Sequence, residues 1–275
     1  MIKLKKVNNI INGDVLGNER KYNQNPDLAE IPMRCMIVAP SMTGKTVACV
    51  NLLKAYEKSN SFDNWYCISP TYYNDGKLQN LPFEKENIYT HPNNESLEGV
   101  LGKVIEEYNG YKQYLKNIEK LHQIKQLKPD LINENHLEWI EKTHREGGFK
   151  TNYSGYPSSV LVIDDSMETP LLSKTNHLSN SLFTKARQYG LSIVCLVQYF
   201  KGISKTIRNQ ISLWMIFRTY DQELLDDIYR EVSFVPKQDF DTIYRDATKG
   251  NPYDFLYIDI KKREFRKNFN EQYKI

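Results

Sequence analysis

No stretch of the 275 residues approaches the roughly 20 apolar residues that a membrane-spanning helix needs. The opening Met-Ile-Lys-Leu-Lys-Lys also lacks the continuous apolar core of a secretory signal. Cysteine is scarce: the four are Cys35, Cys49, Cys67 and Cys195, each inside an apolar run, with no CxxC pair and no histidine spaced for zinc. This argues against a disulfide framework or a zinc module and for buried thiols in a reducing compartment. Charge of one sign is lacking as well. With 37 basic and 34 acidic residues the net charge is only +3, so the whole chain carries no strong nucleic-acid signature and any basic surface must be local. An intracellular, non-membrane protein is the expectation.

The chain does have apolar runs of strand length alternating with helical periodicity. Residues 33–38, 65–69, 158–163, 191–197, 213–217 and 254–259 read as buried strands, and 87–90 as an edge strand. Between them, 45–58, 170–188, 203–210, 221–232 and 236–247 read as helical. Continuous apolar strands alternating with helices predict an α/β fold, a mostly parallel sheet flanked by helices. Residues 1–32, polar and Asn-rich, are expected to form an N-terminal arm with at most a short strand near 10–15. The main domain then runs over 33–260. Leu97, Val100, Leu101, Val104 and Ile105 repeat at helical spacing, as do Tyr111, Tyr114, Leu115, Ile118 and Leu121. A further helix is expected after Pro129, so about 94–145 reads as a helical insertion with a charged outer face. Residues 261–275 read as a basic C-terminal tail.

The segment Ala39-Pro40-Ser41-Met42-Thr43-Gly44-Lys45-Thr46 lies between the first strand and a helix, with Val47 following. This pattern approximates GxxxxGK[ST], a phosphate-binding loop whose backbone N–H groups converge on an anion at a helix N-terminus. Lys45 would reach the β- and γ-phosphates of ATP, and the Thr46 hydroxyl would ligate Mg²⁺. Ala39 replaces the first glycine, which suits a turn that needs little room and no positive φ. The strand 158–163 ends in Asp164 and Asp165. Asp164 stands where a metal-holding carboxylate belongs, and Asp165 where hydrolytic P-loop enzymes place the acid that polarises water; the alternative for either is an ordinary helix cap. Gln198 ends the next strand, either to sense the γ-phosphate or simply as a polar strand end. Arg187, before that strand, and Arg208, after it, are candidates to neutralise charge in phosphoryl transfer. Arg218, at a later strand end, is a third.

Together these features resemble the FtsK–HerA superfamily of P-loop ATPases, and within it the genome-packaging ATPases of large DNA viruses, virophages and related double-jelly-roll viruses. The residues that carry the resemblance are 39–46, the strand 160–165 with its Asp-Asp ending, 183–192 with Arg187 and Leu191-Ser192, Gln198, and Ile207-Arg208-Asn209-Gln210. Departures are Ala39, Met42 in place of a small loop residue, and the long insertion. The resemblance implies a P-loop NTPase fold of the ASCE, RecA-like kind. It also implies an ATP-hydrolysing motor that moves double-stranded DNA into a preformed capsid. Such a motor would form a ring-shaped homo-oligomer with an arginine acting across subunits. Capsid vertex proteins would be its partners, in the host cytoplasm or a viral factory and on the virion. A motor of near-neutral charge would grip DNA through local patches, either Lys201 and Lys205 or Lys261, Lys262 and Arg263. The latter run could instead be a strand edge guarded by its lysines. A nucleotide-dependent assembly or switch protein is the alternative function.

Overall fold

The computed structural model describes residues 22, 25–166, 169–198, 201–232 and 234–274; the short strand expected at 10–15 lies outside them. In chain order the elements are β1 (Arg34–Val38), α1 (Lys45–Lys58), β2 (Asn64–Ile68), β3 (Ile88–Tyr89), α2 (Asn94–Lys125), α3 (Glu134–Arg145), β4 (Ser159–Ile163), α4 (His177–Lys185), β5 (Leu191–Val197), α5 (Lys205–Arg208), β6 (Leu213–Phe217), α6 (Gln222–Val232), α7 (Lys237–Thr248), β7 (Phe255–Asp259), β8 (Glu264–Lys267) and β9 (Glu271–Gln272). The expected alternation of strands and helices is therefore present.

One nine-stranded sheet, ordered β3-β2-β4-β5-β1-β6-β7-β8-β9, organises the molecule. Pairing is parallel from β3 through β6 and antiparallel from β6 to β9. Side chains alternate across β1, as the two-residue strand period requires. Met36 and Val38 enter the core shared with α2, α4, α5, α6 and α7. Cys35, Ile37 and Ala39 enter the core under α1, which also takes in Leu28, Ala29 and Ile31. Both faces being covered explains why the central strands read as unbroken apolar runs. All four cysteines are free and buried in these layers.

Three expectations change in detail. The helical stretch expected at 170–188 is a 3₁₀ turn at Pro170–Leu172, then α4, then a second 3₁₀ turn at Ala186–Tyr189. The Asn176 side chain accepts the Ser179 N–H at 3.0 Å and starts the helix there. The insertion expected at about 94–145 begins as core: Leu97, Val100 and Val104 on the first turns of α2 are buried against the sheet. The later part of α2 buries only Asn117 and Ile124, and α3 buries only Thr143. Glu107 fastens α2 to the sheet by accepting from Tyr66 Oη at 2.6 Å and Asn64 Nδ2 at 2.8 Å. Burial holds its carboxyl above the ordinary value.

The third change concerns the expected tail, where Glu264–Lys267 and Glu271–Gln272 are strands of the sheet. Phe265 on β8 is fully buried in the main core, and the basic residues around it have partners in the same chain. Lys261 pairs with Glu30, Lys262 donates to the carbonyls of Pro26 and Leu28, and Arg266 donates to the Asp27 carbonyl. These contacts tie the incoming segment 26–30 to the β7–β9 edge. The alternative reading of 261–267 as a solvated strand edge changes too, because β8 pairs with β7 on one side and β9 on the other. Phe265→Ala should destabilise the whole domain by about 3–5 kcal/mol, read as a shifted denaturant midpoint with a single transition. A separate, loss-tolerant tail would show no shift.

Candidate nucleotide-binding site

The site lies where the strand order switches direction, the place where open α/β sheets bind ligands. β1 and β4 are not neighbours, because β5 runs between them, paired to β1 through Val38↔Val197 and to β4 through Ile163↔Cys195. The carboxyl ends of these three strands therefore share one rim, bringing together the loop 39–46, Asp164-Asp165 and Gln198.

The loop continues the β1–β5 ladder before it turns: Ala39 N–H donates to the Val197 carbonyl at 3.0 Å. Ala39 is buried in the core under α1, so the methyl group fits where no positive φ is needed. Thr43 Oγ1 donates to the Pro40 carbonyl at 2.7 Å and closes the turn. Ser41 Oγ donates to Gln198 Oε1 at 2.9 Å, so the amide at the end of β5 touches the loop. Met42 has φ 62° and is 98 % exposed at the loop tip. Gly44 has φ 90°, a left-handed conformation that favours glycine, and it caps α1 without any side-chain hydrogen bond. The backbone donors at the start of α1 thus stay available to an anion. Lys45 is 92 % buried by its surroundings at only 8 % exposure, Thr46 is half-buried and Val47 is exposed.

Asp164, 2 % exposed, sits at the end of β4. Its Oδ1 accepts the Asp165 N–H at 3.0 Å. Burial, reinforced by the neighbouring Asp165 carboxylate, raises its pKa from 3.8 to about 6, while Lys45 pulls the other way. A buried carboxylate held in this state gains from a nearby cation. Among the described residues no group of three or more acidic, histidine or cysteine side chains could hold a metal. One carboxylate and one hydroxyl beside a phosphate loop nevertheless fit Mg²⁺, which keeps several waters and takes the remaining ligands from substrate phosphates.

Asp165 adopts φ 49°, a costly conformation for a residue with a side chain. Its Oδ2 accepts from Thr71 Oγ1 at 2.9 Å, and Thr71 Oγ1 lies 3.3 Å from Ser69 Oγ. The carboxylate faces a cleft of about 560 Å³ lined also by Asn74, Asp75 and Lys77. Ser69 and Thr71 were not legible as site residues. The available signal was the polar Ser-Pro-Thr run closing β2, whose end lies on the same rim through Ile68↔Ile163.

The arginines are placed differently from one another. Arg187 is exposed, in the turn before β5 and so at the amino end of the parallel strands. The six residue steps of β5 put it about 20 Å or more from the phosphate loop of the same chain. There it shares a cavity with Arg34, whose pKa is lowered by burial and, secondarily, by Arg187. Arg208 lies 3.4 Å from Glu231 across the α5–α6 seam, both side chains largely covered. Arg218 is the arginine on the rim of the loop, two residues past Ile216, which pairs with Val38. Lys201 pairs with Glu223 and Lys205 is exposed at the start of α5. Lys261 and Lys262 are held by the segment 26–30, and Arg263 occupies a turn at φ 54°.

Similarity to solved structures agrees with this topology. B204, the DNA-packaging ATPase of Sulfolobus turreted icosahedral virus, matches with a TM-score of 0.51 at 13 % identity, over 86 % of this chain and 96 % of that one. This chain shares the fold of that protein, a mostly parallel sheet flanked by helices. The ATP-γS complex of B204 from Sulfolobus turreted icosahedral virus 2 follows at a TM-score of 0.46 and 14 % identity, covering 86 % and 97 % of the two chains. The cytoplasmic domain of the type VII secretion ATPase EccC of Thermomonospora curvata matches at 0.42 and 15 %, over 82 % of this chain and 24 % of that one. No protein-family model matches the sequence, and no curated protein sequence is similar to it. Among the described residues no helix is long and apolar enough to cross a membrane.

The raised pKa of Asp164 has a sign that can be checked. The folded chain keeps a proton there between pH 3.8 and about 6, where the unfolded chain has lost it. Ionised Asp164 therefore costs stability above pH 6, and the cost disappears as pH falls through that window. Asp164→Asn should stabilise the nucleotide-free chain by about 1–3 kcal/mol at pH 7.5 and by little at pH 4.5, as measured by chemical denaturation.

Proposed function

We propose that this chain is an ATP-hydrolysing motor that translocates double-stranded viral DNA into a preformed capsid. The single observation that carries the hydrolytic part is the meeting of the loop 39–46, Asp164, Asp165 and Gln198 on one rim, with β5 between the two key strands. The packaging part is supported by the fold shared with B204 and by the resemblance of the motifs.

In this reading the loop N–H groups and Lys45 hold the β- and γ-phosphates of ATP. Thr46 and Asp164 would hold Mg²⁺, which would neutralise phosphate charge there. Asp165, aimed by Thr71, orients and polarises the attacking water. Gln198 reports the γ-phosphate to the loop through Ser41. Because Arg187 is exposed a strand's length from its own loop, it can serve only the nucleotide of another copy, which calls for a head-to-tail ring. Arg208 would have to leave Glu231 to act in the same way. Lys201, paired with Glu223, and Lys205 follow the sensor strand and are the favoured DNA grip, whereas Lys261 and Lys262 tie the segment 26–30 to the sheet. Phosphate contacts of this kind are independent of base sequence and weaken steeply with salt. Capsid vertex proteins would anchor the ring.

Activity measurements with purified chain test each part. Lys45→Ala should abolish ATP turnover through lost binding. Asp165→Asn should leave binding intact and slow turnover roughly 10²–10³-fold, and normal turnover by that variant would remove Asp165 from its role. Thr71→Val should give a smaller loss in turnover with unchanged binding. Duplex DNA should stimulate the wild type, and reversing the charge of Lys201 and Lys205 should remove the stimulation while basal turnover persists. An ATPase indifferent to duplex DNA would favour the alternative, a nucleotide-dependent assembly or switch protein.

A further inference from the structure

The loop between α7 and β7 brings an aromatic ring to the phosphate loop from outside the motif. A Cβ placed on Gly44 would lie 3.1 Å from Tyr253 Cδ1 and 3.8 Å from its Cγ, so the ring lies against the bare backbone of the glycine. This is a second reason, besides φ 90°, for glycine at position 44. Yet Tyr253 is 59 % exposed, and most of the ring faces solvent. It lies in the turn just before β7, whose Phe255 and Tyr257 are buried in the core under α1.

The ring is exposed but its backbone is fixed. Tyr253 N–H donates to Asn251 Oδ1 at 3.0 Å, and Asp254 N–H donates to the Asn251 carbonyl at 2.9 Å. Asn251 N–H in turn donates to Asp254 Oδ2 at 2.9 Å, and Asn268 Nδ2 donates to Asp254 Oδ1 at 3.0 Å. Lys267 on β8 stands 3.7 Å from the same carboxylate, helping to hold it ionised. A turn braced on two sides thus presents an aromatic face beside the amino end of α1, one turn from the exposed apolar Val47.

A triphosphate seated in the loop must send its ribose and base out past the first turn of α1. The base is a flat ring system that water solvates poorly on its faces, and a preorganised aromatic side chain is a good partner for it. We propose that Tyr253 stacks on the base of the bound nucleotide and so makes the site prefer purine nucleoside triphosphates. This rests on the reading of residues 39–46 as the nucleotide site and extends it to the nucleoside end. The motif itself recognises only phosphate and metal, so base recognition has to come from elsewhere in the fold.

Calorimetric titration of the full chain with Mg·ATP, Mg·CTP and magnesium inorganic triphosphate separates the possibilities. Stacking is expected to give Tyr253→Ala a roughly 5- to 100-fold weaker affinity for ATP, with inorganic triphosphate binding unchanged. Tyr253→Phe should retain ATP affinity, and the wild-type preference for ATP over CTP should shrink in Tyr253→Ala. Unchanged ATP affinity in Tyr253→Ala would overturn the proposal. Equal losses for ATP and inorganic triphosphate would also overturn it, since the ring would then only shape the loop around Gly44. If the wild type binds inorganic triphosphate but gains nothing from a nucleoside, the phosphate loop stands and the base contact falls. If it binds neither, the nucleotide reading fails and the proposal with it.

Discussion

The hydrogen bond from Ala39 N–H to the Val197 carbonyl extends the β1–β5 ladder to the first residue of the phosphate loop. Everything at the site depends on that extension. It fixes where the loop starts relative to β5, and so sets Gln198 beside Ser41. It requires β5 to lie against β1, which forces β4 and its two acids one strand further away. The separation between Lys45 and Asp164 is thus a consequence of strand order, leaving the two ends of the site to be bridged by what binds there.

The electrostatics follow the same logic. Asp164 is buried beside a second carboxylate, and its affinity for protons rises accordingly, with Lys45 opposing the shift. Taken alone this is a destabilising arrangement of the kind that proteins keep where a charged ligand resolves it. Asp165 shows a related cost in its positive φ, offset by the hydrogen bond from Thr71. The strained Asp165 and the buried Asp164 carboxylate both lie on the rim, above two continuous apolar layers.

Basic residues show how little charge counts reveal without partners. The 261–267 run is the densest positive segment of the chain, yet it is spent on holding 26–30 and on bracing Asp254. Lys201 and Lys205 are fewer but lie beside the strand whose end touches the loop. The arginines divide in the same manner: Arg187 faces outward at the far end of the strands, Arg208 is clasped by Glu231, and Arg218 sits on the loop's own rim.

Local chemistry made much of this legible from sequence. The loop 39–46, the acid pair after four aliphatics and Gln198 at a strand end depend on near-neighbour patterns, and the alternation of apolar strands with helices follows from periodicities of two and 3.6 residues. Ala39 could be anticipated because a buried turn without positive φ accepts a methyl group. Long-range placement was not legible. That β5 lies between β1 and β4, that β8 and β9 extend the sheet, that Thr71 aims Asp165 and that Tyr253 lies on Gly44 are tertiary contacts, and no local pattern encodes which partner a polar or aromatic side chain will meet. The sequence by itself determined the chemical groups and their local geometry. Only the tertiary structure decided which of them share a rim, because strand order and register, set by packing of the whole core, choose the neighbours.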